Sequence, residues 1–246
     1  MNVLTVFAHS GSQSFCHAAL ERFDAGLRAA GHANEVVDLY AIGFDPVIRE
    51  RDSPNWMDAE APDELLARLQ LRERMLDGAR GPIRRIALKL LLGNRDTRGI
   101  IRLLQRRFRP KDVAEQQAKV ARAQALAFIA PVYFVGFPAI LKGWIERVFT
   151  LGFAFALTPE AWKGDIRGRI PLLKHDKALI IQTSLFDEHA YRAGLADAMK
   201  VTIDEFGFRY PGIKQVEHVF FHALYGADHE TRRGYLDEAY RLGLEF

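Results

Sequence analysis

From Ala123 to Leu141 the chain carries no charge, so any fold must bury this run or place it in a membrane. A spanning helix needs about 20 predominantly apolar residues. Here Pro131, Gly136 and Pro138 interrupt the run before Lys142 ends it, and an interior proline removes a helical hydrogen bond and clashes with the preceding turn. The run therefore divides into a buried strand at residues 125–130, a tight apolar loop at 131–137, and a helix opening at Pro138, whose fixed φ suits a first turn. Strand, short loop, helix is the unit of open parallel sheets, which bind ligands beyond the carboxyl ends of their strands.

The same grammar recurs along the chain. Residues 3–7 read as a fully buried strand, followed by an amphipathic helix at 14–30 that ends at Gly31. Strands at 35–39, 178–182 and 216–223 bring the number to five, with further helices at 138–149, 188–206 and 230–244. This predicts an α/β three-layer sandwich: a five-stranded parallel sheet, helices on both faces, in the flavodoxin-like order 2-1-3-4-5. A length of 246 residues, 49% of them hydrophobic, suits one such domain over residues 1–246. The single cysteine, Cys16, cannot form an internal disulfide, and residues 1–9 lack the basic flank and longer apolar segment of a signal peptide, so a cytoplasmic location is expected.

One segment breaks the rhythm, because more than 70 residues separate the second and third strands. It is expected to form a helical insertion at about residues 55–110. Residues 64–111 hold 14 Arg and Lys against 4 Asp and Glu, a net +10 in a chain whose total is +3; the basicity is local. Within it, Ile100, Leu104 and Phe108 share one helical stripe while Arg98, Arg102, Arg106 and Arg109 line another. A second stretch sets Ile83, Ala87, Leu90 and Leu91 against Arg84, Arg85 and Lys89. Such helices pack on their own body or on a partner subunit with the arginines solvated; alternatively, residues 64–111 attach to a membrane surface or an acidic protein. Nucleic acid is not expected, since no binding motif accompanies the charge.

Three loops at the predicted strand ends carry the candidate chemistry. The first, residues 7–15, offers the hydroxyls of Ser10, Ser12 and Ser14, a turn at Gly11, and the free N–H groups of a starting helix, which can hold a phosphate without a lysine; the same pattern also serves as a plain N-cap. It contains neither of the glycine-rich motifs of dinucleotide-binding or P-loop folds. The second exposes Tyr133, Phe134 and Phe137 on a turn stiffened by Pro131, Gly136 and Pro138, and could plug the core or wall a flat apolar cofactor. In the third, residues 182–194, Thr183, Ser184 and Tyr191 could donate to a ring carbonyl, while Asp187 or Ser184 could simply cap the next helix. The eight histidines show no zinc-ligand spacing, so no metal is predicted; His218 and His222 would share a strand face without converging. Cys16 falls in a helical first turn, which acidifies some thiols, although a buried filler is the simpler role.

With these loops in view, the chain resembles the flavodoxin-like NAD(P)H:quinone oxidoreductases, the DT-diaphorase group and its bacterial relatives. The resemblance rests on GFPAILKGWIERVFTLGFAF at 136–155, on AHSGSQSF at 8–15 and on DLYAIGFDPVI at 38–48. It covers most of the chain outside residues 55–110. It implies FAD or FMN as prosthetic group, NAD(P)H as co-substrate, a homodimer with the site at the subunit boundary, and two-electron ping-pong hydride transfer to a quinone-like small molecule. Carried over residue by residue, His9, Gln13, Ser14 and Phe15 would hold the phosphate side. Pro131, Val132, Tyr133 and Phe134 would line the ring, Thr183 and Ser184 would meet its edge, and Tyr191 would stabilise charge on it, making Tyr191, Thr183 and Ser184 the catalytic candidates.

The chain also departs from that group. Phe134 stands where a tryptophan is common, Leu185 and Phe186 where two glycines stand, Asp197 near the place of a histidine, and Phe155 and Leu157 where the mammalian enzymes have tyrosines. These changes imply a more apolar pocket. The alternative from another class is a flavin-binding ancillary subunit that regulates a membrane ion-efflux transporter. A one-electron carrier is disfavoured, because such carriers are usually acidic and this chain has a pI near 9.0.

Overall fold

The computed structural model describes residues 1–246. In chain order the elements are β1 (Asn2–Phe7), α1 (Phe15–Ala29), β2 (Ala33–Asp38), α2 (Asp63–Leu69), α3 (Leu71–Gly78), α4 (Pro82–Leu92), α5 (Thr97–Arg107), α6 (Lys111–Arg122), β3 (Ala125–Pro131), α7 (Ala139–Val148), β4 (Phe155–Leu157), β5 (Arg169–Pro171), β6 (Lys177–Thr183), α8 (Glu188–Ala190), α9 (Ala196–Lys200), β7 (Gln215–Phe221) and α10 (His229–Leu244). Five strands form one sheet in the order β2-β1-β3-β6-β7, all pairings parallel. This is the flavodoxin-like order read from the sequence, with every sheet strand found within about two residues of its expected bounds.

The side-chain period of two explains the layers. Leu4 and Val6 of β1 join Phe128, Ile180, Trp144 and Phe208 in a core on one face. Val3 and Phe7 join Phe23, Leu27, Ala239 and Leu242, from α1 and α10, on the other. All seven residues of β3 are buried, which accounts for the uncharged run: a central strand covered on both faces has no polar side.

Two features depart from the sequence reading. The single helix expected at 188–206 is a succession of short α segments and π turns over Tyr191–Leu195 and Val201–Arg209, where Gly194 takes φ 113° and breaks the helical ladder. A small antiparallel hairpin, Phe155–Leu157 against Arg169–Pro171, was not anticipated; three-residue strands are too short to show a period.

The insertion has a core of its own, built from Ala59, Ala61, Leu66, Leu71, Leu92, Ile100, Ile101 and Leu104. Several arginines hold it together rather than lying free: Arg98 reaches the carbonyls of Ala59 and Ala61 and the carboxylate of Asp63, and Arg102 pairs with Glu60. Ile100 and Leu104 are buried as expected, but Phe108 caps α5 half-exposed. In α4 the apolar stripe does not pack on the chain's own body. Leu92 anchors the helix, while Ile83 and Leu90 are 82% and 78% exposed. The periodicity showed an apolar face but not whether anything covers it.

The segments that flank the insertion meet at Arg147, on the buried side of α7 and 1% exposed. Its guanidinium donates to Asp52 Oδ1 at 3.0 Å, to Asp112 Oδ2 at 2.5 Å and to the carbonyl of Asp45 at 2.7 Å. It thus joins the exit of β2, the 3₁₀ turn Glu50–Trp56 and the start of α6. One turn earlier, Gly143 lies against Pro46 so closely that a Cβ would stand 2.2 Å from its carbonyl oxygen. Truncating Arg147 leaves Asp52 buried and unpaired, which costs about 3–5 kcal/mol. Arg147→Ala is therefore expected to lower unfolding stability by that amount in urea titration.

His175 gives the fold a pH dependence. It is buried, its Nε2 lies 2.9 Å from the carbonyl of Val120, and its Nδ1 has no partner. Burial holds its pKa below the ordinary histidine value, so the unfolded chain takes up this proton first, near pH 6.5. The stability from neutral His175 is present above that pH and is lost as pH falls below it. Thermal unfolding from pH 8 to 5 is expected to show this loss, with a flatter slope in His175→Gln.

Candidate functional site

Because the sheet is parallel, its strands all deliver their carboxyl ends to one edge, at Phe7, Asp38, Pro131, Thr183 and Phe221. A cavity of about 550 Å³ lies there, lined by His9, Ser14, Phe15, Cys16, Pro131, Val132, Tyr133, Thr183, Ser184, Leu185, Leu224, Tyr225 and Arg232.

On its β1 side the chain folds back through Gly11, whose N–H donates to His9 Nδ1 at 2.9 Å. Ser14 then caps α1, its Oγ accepting from the N–H of His17. The N–H groups of Phe15 and Cys16 belong to the first turn and take no backbone acceptor. Two unengaged donors at the positive end of a helix attract an anion, and Arg232 adds a cation to the same wall while donating to the carbonyl of Leu224.

The opposite wall is the apolar turn after β3. Tyr133 and Gly136 exchange both backbone hydrogen bonds, at 3.0 and 3.1 Å, and the residues between them, Phe134 and Val135, have φ of 46° and 61°. Two side-chain-bearing residues in the left-handed region, one of them β-branched, are strained by roughly 1–3 kcal/mol each. The turn is held by the sheet. Val132 N–H donates to the carbonyl of Thr183 at 2.8 Å, and the buried Gln182 amide reaches the carbonyls of Pro131 and Gly136, both at 3.3 Å. Gln182 is itself oriented: its Oε1 meets His218 Nε2 at 2.9 Å, and His218 Nδ1 meets Asp204 Oδ1 at 2.8 Å. His218 also stacks on Phe220, centroids 4.2 Å apart.

The donors at the β6 end differ in what they have to offer. Cys16 Sγ lies 3.1 Å from Thr183 Oγ1, and burial pushes the thiol up to about 11. The thiol stays protonated, so either group can donate in this contact and a thiol donor would free the Thr183 O–H for the cavity; burial argues against the acidified-thiol reading of Cys16. Ser184 Oγ instead donates to the carbonyl of Phe186 at 2.9 Å, and His222 Nδ1 lies 3.3 Å away.

Of the residues singled out from the sequence, the cavity gathers His9, Ser14, Phe15, Pro131, Val132, Tyr133, Thr183 and Ser184. It does not take in Gln13, exposed on the loop; Phe134, which points fully into solvent; or Tyr191, buried behind Ser184. The Tyr191 ring packs on Phe220 and His222, centroids 4.9 and 4.7 Å apart, and burial raises its pKa. Asp197 is exposed; the imidazole beside Ser184 comes from His222, just after β7. Leu224, Tyr225 and Arg232 were missed, although the loop after the last strand occupies the same sheet edge as the other three.

Residues 1–242 match the family model of the flavodoxin-like fold. The chain is 32% identical over 170 residues to NAD(P)H dehydrogenase (quinone) 1 of Cavia porcellus, covering 69% of this chain and 50% of that protein. It is 38% identical over 171 residues to the human ribosyldihydronicotinamide dehydrogenase (quinone), covering 70% and 61%. It thus spans between half and three fifths of these curated relatives. The solved NAD(P)H:quinone oxidoreductase from Methanothermobacter marburgensis superposes with a TM-score of 0.66 at 27% identity, over 100% of this chain and 95% of that one. The chain belongs to the flavodoxin-like fold family.

Gln182→Leu removes the side-chain donor to the carbonyls of Pro131 and Gly136 and leaves the buried His218 Nε2 without its partner, at about 1–3 kcal/mol. Urea unfolding is expected to show that loss; an unchanged midpoint would mean that the turn does not depend on Gln182.

Proposed function

We propose that this chain is a flavin-dependent NAD(P)H oxidoreductase that passes two electrons by ping-pong exchange to a quinone or a similar electrophile. The observation that carries this reading is the cavity itself, which combines an anion cradle at the start of α1, an apolar wall at Pro131–Tyr133 and the Thr183 hydroxyl. Those features fit a flavin, FAD or FMN: a phosphate at Phe15, Cys16 and Arg232, a flat ring along Val132 and Tyr133, and ring carbonyls beside Thr183. A cavity of about 550 Å³ falls within the size range of small-molecule sites. When bound, a flavin supplies a two-electron acceptor and donor, so that NAD(P)H and the final acceptor can use one slot in turn.

The chain's own contribution is positioning and electrostatics. Thr183 O–H donates at the ring edge. Burial keeps the Tyr133 and Tyr191 phenols above their ordinary pKa, so both remain protonated at neutral pH. Tyr191 and His222 support Ser184 from behind, which makes them positioning residues in this reading, with Thr183 and Ser184 nearest the ring. Leu185, on the cavity wall, narrows the slot and makes it more apolar. A homodimer with the site at its boundary belongs to the same proposal.

Purified protein is expected to bind added FMN or FAD with a shifted visible spectrum and to oxidise NADH or NADPH with a soluble benzoquinone as acceptor. Bound flavin with negligible turnover would favour the regulatory-subunit alternative, and failure to bind any flavin would overturn the proposal. Thr183→Val is expected to lower kcat about tenfold or more with a smaller change in flavin affinity, because a donor to developing charge acts chiefly in the transition state. Equal losses in both would remove Thr183 from that role.

A further inference from the structure

Helix α4 turns an apolar face to solvent. Ile83, Ile86 and Leu90 are 82%, 59% and 78% exposed, and at about 100° per residue they share one side of the helix with Ala87. The opposite side is the attached one: Leu92 is buried in the insertion core and Leu88 packs against it. Arg84 and Lys89 flank the exposed stripe on either side, with Arg85 beyond Lys89 and Arg80 just before the helix begins. Arg85 has only a 3.7 Å contact with Asp77, and the side chains of Arg80, Arg84 and Lys89 take part in no recorded ion pair or hydrogen bond. An isolated apolar side chain at the surface is ordinary, but a three-residue stripe along one helix marks a surface that something else covers.

We propose that α4 docks on an anionic phospholipid surface, with Ile83, Ile86 and Leu90 in the headgroup–acyl boundary and Arg80, Arg84 and Lys89 among the lipid phosphates. The pattern of charge selects this occupant. A symmetric contact with α4 of a second copy would bring another strongly basic segment against the first, whereas a lipid surface presents negative charge around an apolar interior. The helix is about 16 Å long, suited to lying in the interface, and no helix of the chain is long and apolar enough to cross a membrane. The attachment is independent of the cavity chemistry, since none of these residues lines that site.

The test is co-sedimentation of the full chain with vesicles of phosphatidylcholine alone and of phosphatidylcholine with phosphatidylglycerol. Wild type is expected to partition onto the anionic vesicles at least tenfold more strongly than onto the neutral ones, and less so as salt screens the attraction. Ile83→Ser/Ile86→Ser/Leu90→Ser is expected to lose that binding about tenfold while keeping the wild-type circular dichroism, since the three residues pack on little. A full-length Leu90→Trp variant supplies a second readout, with its emission expected to move to the blue on anionic vesicles. Wild type left in the supernatant, a triple variant that binds as well as wild type, or Leu90→Trp emission that does not move would each overturn the proposal. So would a wild-type oligomer that the triple variant dissociates, which would make the stripe an interface between copies, or binding to polyglutamate that equals binding to the anionic vesicles, which would point to an acidic protein.

Discussion

The buried guanidinium of Arg147 is the interaction on which the arrangement of this molecule depends. It receives three oxygens from segments widely separated in sequence, Asp45, Asp52 and Asp112, so α7 cannot take its place without also fixing the exit of β2 and the start of α6. A charge so deeply buried is tolerable only beside opposite charge, and the close seating of Gly143 on Pro46 brings the helix near enough for both terminal nitrogens of Arg147 to find acceptors, while its Nε stays unpartnered. The most recognisable stretch of the sequence, residues 136–155, is therefore mainly architectural. Its helix supplies no side chain to the cavity; it secures the end of the loop whose beginning forms the apolar wall.

That wall shows how strain is distributed. Phe134 and Val135 occupy the left-handed region at a cost, and the compensating bonds come from Gln182, which is buried in a strand rather than placed in the loop. Gln182 is in turn held by His218, and His218 by Asp204. A loop built from β3 is thus governed from β6, β7 and the π-helical segment that follows α9. Isolated, the turn would relax; fixed to the sheet, it presents Tyr133 to the cavity in one orientation, as a site that orients a flat ligand requires.

The sequence made the sheet legible because buried parallel strands are continuous apolar runs and their loops are punctuated by glycine, proline and serine. It also made legible the residues that precede and follow those strand ends: His9, Ser14, Thr183 and Ser184 needed only the rule that ligands bind at the carboxyl edge. What it hid depends on distance in space. The Asp204–His218–Gln182 chain joins positions without any shared motif, the role of Cys16 depends on its burial against Thr183, and His222 reaches Ser184 only because β6 and β7 pair in a particular register. Tyr191 sits behind the cavity instead of on it because Gly194 and the π turns redirect a helix that periodicity presents as regular. For α4 the period was right, but an amphipathic pattern names two faces without saying which one meets the protein.

The insertion can keep an uncovered apolar face because its stability comes from elsewhere. Leu66, Leu71, Leu92, Ile100, Ile101 and Leu104 form a core separate from both faces of the sheet, and Arg98 and Arg102 close it with bonds to Ala59, Ala61, Asp63 and Glu60. Burying Ile83, Ile86 and Leu90 in that core would have stabilised the fold by roughly 1.5–3 kcal/mol for each side chain. Leu88 and Leu92 face inward in their place, so this energy is left available for contact with another surface. The sheet edge and the α4 face therefore draw on different parts of the molecule, and Arg147 ties those parts together without making either site depend on the other's chemistry.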